Sequence, residues 1–242
     1  MRARPLKEIL KYEQKFGFEV TVNERKVLIY GAGQIAELVL YYLSIDSQYS
    51  VCGFVVDGEF AHADEFCGLP VLSPTRVIEN CKPKDFSMFI AIGYSSMNAN
   101  RRKKCDWARS NGYELISYVS SRATTYENLR FGDNCLILED NTIQPFVTLG
   151  NNVFLWSGNH VGHHSVIEDD VFISSQCVIS GNCVVGERSF LGVNCTVQNN
   201  LRVGVACFVG PGSLVRGDVA DESVLLTKAT ESQNIKSRNL RL

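Results

Sequence analysis

Fifteen positions spaced six apart, from Phe131 through Ile137, Ile143, Leu149, Leu155 and Val161 to Val215, are all aliphatic or aromatic, with no slip in register. Four residues after each stands a second set that is mostly small or apolar, including Cys135, Val147, Val153, Ser165, Cys177 and Ser189. A period of six fits neither the 3.6-residue helix nor the two-residue alternation of a strand. It fits a β-solenoid in which each hexad forms one flat side of a triangular coil. Three hexads close a coil, so residues eighteen apart lie one above the other. The fold expected over 121–219 is a left-handed parallel β-helix.

Upstream of this repeat the pattern is different. A helical leader is expected within 1–25, over 6–16. The apolar run 27–30 suits a buried parallel strand, and the glycine-rich turn after it opens a helix over 37–43. Further strands are expected over 51–56, 86–92 and 115–119, with 60–72 as loop carrying a short edge piece at 68–71. Helices are expected over 74–80, with Ser73 as cap, and over 98–111. Strands alternating with helices make 26–120 a small α/β domain with a parallel sheet, a Rossmann-like half. The polar stretch 220–242 leaves the six-residue beat and reads as a cap or tail.

Composition excludes several function classes. The net charge is −2 with both signs interspersed, which gives no surface for a polyanion such as nucleic acid. No run of apolar residues is long enough for a membrane span, and Met1 to Pro5 does not begin a signal-peptide-like run, so a cytoplasmic protein is expected. Of nine cysteines, Cys135, Cys177, Cys183, Cys195 and Cys207 fall on the small inward position of the hexad, where a thiol is a compact core filler. Cys52, Cys67, Cys81 and Cys105 are scattered and no CxxC occurs. The set reads as structural and unpaired, as in a reducing compartment.

Three groups of residues carry chemistry. Gly31-x-Gly33-x-x-Ala36 follows a strand and opens a helix, where the glycines allow an anion to approach free N–H groups. Asp57 ends the next strand, where an acid would bind a ribose hydroxyl. A unit of this size suits a mononucleotide such as the UDP of a sugar nucleotide; a full dinucleotide site and a ligand-free turn are the competing readings. The loop after the third strand adds Gly93, Asn98, Asn100 and Arg101 as candidate sugar or phosphate contacts, against the alternative of a solvated helix start. Finally, His160, His163 and His164 cluster beside the inward residue Val161. Eighteen residues after His163 stands Gly181, one coil along in the same column. A histidine beside a glycine N–H is a pair suited to acyl transfer, the one as base and the other as oxyanion donor. His160 and His164 are candidate substrate contacts. A zinc site needs about three converging ligands; His163 and His164 are expected to point apart, so no metal is expected.

The α/β domain with GxGxxA, the acid after the second strand, the Ala91-Ile92-Gly93 loop and the hexapeptide repeat together resemble the sialic-acid O-acetyltransferase-like family of hexapeptide-repeat sugar acyltransferases. Its members include bacterial N-acetyltransferases of UDP-4-amino sugars, of the bacillosamine and perosamine type. The resemblance spans roughly 26–220. It implies a homotrimer with active sites between adjacent solenoids, acetyl-CoA lying along the solenoid as acyl donor, and a UDP- or dTDP-linked amino sugar held by the N-terminal domain. It also implies that His163 is the catalytic base and that Gly181 lends its amide to the acetyl carbonyl. The cofactor-side position that the family often fills with histidine is Phe172 here. The acids that flank the family's histidine are Gly162 and His164, so an orienting carboxylate would have to come from Asp169, Asp170 or another subunit. The usual Gly-x-Pro-Ala ending is replaced by Leu225-Leu226-Thr227-Lys228-Ala229-Thr230.

The function expected is direct acetyl transfer from acetyl-CoA to an amino group of a nucleotide-linked sugar, in surface glycan synthesis. A cysteine acyl-enzyme is disfavoured because the repeat cysteines point inward without a paired base. The alternatives are a sugar O-acetyltransferase of the same fold and a non-catalytic sugar-nucleotide-binding paralogue.

Overall fold

The computed structural model describes residues 25–58, 63–232 and 236–239. The helical leader expected over 6–16 lies outside them. The chain first forms a five-stranded sheet in the order β3-β4-β2-β1-β5. Its strands are β1 (Arg25–Tyr30), β2 (Tyr49–Val55), β3 (Glu65–Phe66), β4 (Leu69–Leu72) and β5 (Phe86–Ile90). All pairings are parallel except β3 with β4. Three helices accompany them: α1 (Gln34–Asp46), α2 (Pro74–Asn80) and α3 (Ala99–Ser110). Ser73 caps α2 by accepting from the Arg76 N–H, as its position before Pro74 predicts.

The central strands are apolar on both faces because both are covered. Val27 and Ile29 face α1 through Ala36, Val39 and Leu43. Leu28 and Tyr30 face Val77 of α2 and Cys105 and Ala108 of α3. Only the start of the strand expected over 115–119 pairs with this sheet. Leu115 makes one bridge to Met88, and the last sheet bond is Ile116 N–H to the Met88 carbonyl. The next donors, on Tyr118 and Ser120, reach the carbonyls of Cys135 and Ile137 instead. Tyr118–Val119 (β6) is therefore the first rung of the second domain.

That domain is a left-handed parallel β-helix. Two-residue strands from β7 (Leu136–Ile137) to β21 (Val224–Leu225) stack into three sheets. Face I contains β6, Leu136–Ile137, Phe154–Leu155, Phe172–Ile173, Phe190–Leu191, Phe208–Val209 and β21. Face II runs through Thr142–Ile143, His160–Val161, Val178–Ile179, Thr196–Val197 and Leu214–Val215, and face III through Thr148–Leu149, Val166–Ile167, Val184–Val185 and Arg202–Val203. From Ile137 to Val215 every six-step residue is at most 2% exposed. Phe131, the first of the series, is 44% exposed, since no complete coil lies below it. Each corner turns at the third residue after the inward one, which has positive φ from Asn134 to Gly212. Most of these positions hold Asn, Asp or Gly, the residues that enter the left-handed region most readily. The beat extends further than 215 but slips by two: Val203 bridges Val219, and Val209 pairs with Leu225. The last coil is sixteen residues around rather than eighteen.

The two domains join along face I. Its outward residues Leu136, Phe154, Phe172 and Phe190 share one apolar cluster with Val27, Ile29 and Phe89. The Phe89 and Phe154 rings stack at 5.9 Å, and Tyr94 lies 5.0 Å from Phe172. Within this contact sits Arg101 of α3, 0% exposed. Its guanidinium lies 4.1 Å over the Phe154 ring. It donates to the side-chain oxygens of Asn152 (2.8 Å) and Asn98 (3.0 Å) and to the carbonyls of Asn152 and Asp170 (both 3.1 Å). Burial lowers its pKa to about 10, which leaves it charged at neutral pH. Asn98, at φ 62, donates to the carbonyls of Arg188 and Ser189. Asn98 and Arg101 are thus corrected from ligand contacts to the interdomain joint: they satisfy the corner carbonyls that docking would otherwise strand without water.

Candidate active site

The corner between faces II and III carries the histidines. His160 is half-buried on face II, between Thr142 and Val178 of the neighbouring coils. His163 and His164 are exposed on the corner that follows. The His163 ring lies across Gly181 so closely that a Cβ at residue 181 would be 2.7 Å from both Cε1 and Nε2. Only glycine leaves room for the ring there. The Gly181 N–H finds no acceptor among the described residues. Main-chain bonds hold the corner: the His163 N–H donates to Gln144 Oε1 at 2.9 Å, and the Asn182 N–H to the His163 carbonyl at 2.9 Å. The eighteen-residue column therefore places the imidazole and the glycine amide side by side. Gln144 is a contact that sequence reasoning missed; it stands nineteen residues before His163, so column arithmetic would have found it.

Among the described residues, no acid stands beside His163 to orient it. Asp169 accepts from Asn151, and Asp170 is buried against Asn152 and Arg102 near the domain joint. A side chain at Gly162 would meet the Gly181 nitrogen at 2.5 Å, so that neighbouring position has no space for one. The partner present is His164. The two rings do not point apart, as the spacing suggested: at φ 61 the backbone of His164 turns its side chain back, and the two Nδ1 atoms lie 3.1 Å apart. Among the described residues no cluster of three or more His, Cys, Asp or Glu has the arrangement of a metal site.

Phe172 is also corrected. It points outward from face I, 2% exposed, among Phe154, Trp156, Phe190 and Tyr94. Residue 172 is nine after His163, half a coil, which puts it on the side of the prism away from the histidine corner. The repeat cysteines are all buried. Burial raises the Cys135 thiol to about 11, so it stays protonated and inert.

A second site lies in the α/β domain. A cavity of about 660 Å³ opens at the carboxyl ends of β1, β2 and β5, lined by Gly31, Gly33, Asp57, Ser95, Asn100 and Lys104 among others. Gly31 has φ 121, and a Cβ there would be 2.9 Å from the Ala91 carbonyl oxygen, so the turn requires glycine twice over. A Cβ on Gly33 would meet nothing within 4 Å. Its bareness serves the cavity rather than packing. Asp57 accepts from Tyr30 Oη (2.7 Å) and pairs with Lys104 (2.8 Å). Burial alone would raise this carboxyl, but the Lys104 and Tyr30 hydrogen bonds outweigh it and hold it below its usual value. Asn100 contacts Ser95 at the rim. Gly93 does not line the cavity, and a Cβ there would be 3.4 Å from the Ile35 side chain. Tyr30, Lys103 and Lys104 also line the cavity and were missed, although Lys104 stands one helical turn after Asn100, on the helix's basic face.

A family model described as the PglD N-terminal domain matches residues 26–108, and one described as the bacterial transferase hexapeptide (six repeats) matches residues 164–199. No curated protein matches the chain. Among solved structures, the acetyltransferase domain of PglB from Neisseria gonorrhoeae is similar with a TM-score of 0.75 at 24% identity, over 83% of this chain and 96% of that one. PerB from Caulobacter crescentus, solved in complex with CoA and GDP-perosamine, has a TM-score of 0.74 at 24% identity, over 82% and 92%. WeeI from Acinetobacter baumannii has a TM-score of 0.64 at 21% identity, over 83% and 95%. At these identities the likeness is one of fold. Residues 26–108 are thus similar to the PglD N-terminal domain, and residues 164–199 to the bacterial transferase hexapeptide.

Proposed function

We propose that the protein is an acetyl-CoA-dependent N-acetyltransferase acting on an amino group of a nucleotide-linked sugar, in the cytoplasmic steps of surface glycan synthesis. The observation that carries this reading is the imidazole of His163 lying across Gly181, whose N–H has no acceptor among the described residues. As the amine nitrogen bonds to the acetyl carbon, His163 Nε2 takes the proton it sheds. The Gly181 N–H donates to the oxygen on which negative charge develops. The C–S bond then breaks, and the proton passes from His163 to the departing sulfur. The residues present fit a thioester carbonyl placed at this corner.

The cavity of about 660 Å³ suits the nucleotide, within the range of small-molecule sites. The bare turn at Gly33 and the N–H groups opening α1 would receive the diphosphate, with Lys103 as a nearby cation. The PerB complex, with GDP-perosamine bound, makes a guanine nucleotide a candidate beside UDP and dTDP. The α/β domain docks on face I, whereas His163 stands on the corner between faces II and III, opposite it. Within one chain the cavity and the histidine lie on opposite sides of the prism. This supports a homotrimer in which one protomer's cavity serves another's histidine corner.

The test is to incubate the protein with acetyl-CoA and a panel of UDP-, dTDP- and GDP-linked amino sugars and identify the product. A product carrying one acetyl group that survives mild base is the amide expected here. An acetyl group lost in mild base is an ester and would overturn the choice of nitrogen; no transfer to any acceptor would overturn the enzyme reading.

A further inference from the structure

We infer that His164 is a positioning residue that fixes the proton of His163, its Nδ1 accepting a hydrogen bond from His163 Nδ1–H so that His163 Nε2 is left bare over Gly181. The inference rests on the proposed role of His163 as base. Two imidazole nitrogens 3.1 Å apart hold one proton between them when both rings are neutral. If His164 were the donor, His163 would carry its proton on Nε2 and have no lone pair facing the acceptor nucleophile. With His163 as donor, its own Nε2 is free to take a proton, and the imidazolium that results keeps its Nδ1–H bond. The step adds no atoms and needs no other reactant.

Two further observations support a built contact. The residue at this corner position has positive φ in every coil from Asn134 to Gly212, and the chain mostly fills it with Asn, Asp or Gly. At 164 it holds a histidine at φ 61, a conformation that histidine enters more readily than most side chains and that turns its ring back towards His163. The coil below places Phe146 at the equivalent position, also at positive φ, with its ring 4.7 Å from the His164 ring. His164 is thus held between an aromatic ring on one side and the His163 imidazole on the other, at 5.2 Å and near-perpendicular. No carboxylate of the described residues pairs with either ring, so among these residues the task of setting the tautomer falls to His164.

The position of the acceptor atom makes this testable. Asparagine carries Oδ1 at the same branch point at which histidine carries Nδ1, and both asparagine and glycine tolerate positive φ. His164→Asn therefore restores an acceptor that His164→Gly removes, and neither strains the corner. With four histidines in the chain, long-range nitrogen–proton NMR of the full-length protein labelled on histidine reads each ring's tautomer. We expect His163 as the Nδ1–H tautomer in the wild type and in His164→Asn, and as Nε2–H or a mixture in His164→Gly. In acetyl transfer, His164→Gly should lower kcat about tenfold, the worth of one hydrogen bond, with KM for both substrates unchanged, and His164→Asn should recover most of it. A wild-type His163 protonated on Nε2, or His164→Asn as impaired as His164→Gly with the same tautomer, would overturn the inference. A wild type that transfers nothing while the tautomers still switch as expected would remove the base reading and leave the positioning contact standing.

Discussion

Gly181→Ala is the sharpest probe of the histidine corner. The added methyl would sit 2.7 Å from Cε1 and Nε2 of His163, well inside van der Waals contact. Gly181 has no positive φ, so alanine adds no backbone strain. The His163 ring is exposed and can swing towards solvent, so relief is cheap, and the stability change should stay below about 1 kcal/mol. What is lost is the alignment of Nε2 with the attacking amine. General-base assistance contributes roughly 100- to 10,000-fold, so kcat should fall at least about 100-fold. KM for the sugar nucleotide should hold, because the cavity lies elsewhere in the chain. A thiol-release assay on Gly181→Ala, His163→Ala and the double variant measures this. The double variant should be no slower than His163→Ala alone, since one lesion acts through the other. Activity of Gly181→Ala within about threefold of wild type, with the protein folded, would refute the reasoning.

Three other perturbations have defined outcomes. Arg101→Leu leaves buried oxygens of Asn98, Asn152 and Asp170 without their donor and should cost about 3–5 kcal/mol in urea unfolding; a loss under about 1 kcal/mol would contradict the joint described here. Lys103→Met, at the cavity wall, should weaken UDP binding about tenfold in calorimetry and flatten its salt dependence; unchanged affinity would move the diphosphate elsewhere. Asp57 has a lowered pKa in the folded state, so the stability it contributes is complete above the ordinary carboxylate range and disappears as pH falls through its lower folded value. The difference in Tm between wild type and Asp57→Asn should therefore be present at pH 7 and vanish in strong acid, and a difference that grows on acidification would contradict the pairing with Lys104 and Tyr30.

The solenoid was legible because a large inward side chain must recur at every sixth residue, and Ile143, Val161 and Ile179 keep that period through every turn. The same arithmetic put His163 beside Gly181. It could not say which face of the prism is covered, and the misplaced residues follow from that. Phe172 looks like any outward residue when its hexad is read alone. Read in steps of eighteen, it belongs to a column with Phe154, Phe190 and Phe208, and an aromatic outward column marks a docked face. Asn98 and Arg101 looked like ligand contacts because polar residues after a parallel strand usually face solvent; here the next domain replaces the solvent. The pairing of His164 with His163 depends on the backbone turning at positive φ, which histidine does not advertise as asparagine or glycine would. Lys103 and Lys104 were hidden among the other charges of a basic helix, and only the helix's placement against Asp57 shows which of them reach the cavity.

The central claim is that His163 is the base of an acyl transfer, and the most direct measurement is the turnover of His163→Ala against wild type with acetyl-CoA and an accepted amino-sugar nucleotide, alongside the binding of both substrates. The ring is exposed on the corner, so its removal should leave the fold intact. A kcat reduced by roughly 100-fold or more with both substrates still bound is the result expected. Turnover in the variant equal to wild type would contradict the account and send the search for the proton acceptor to another residue.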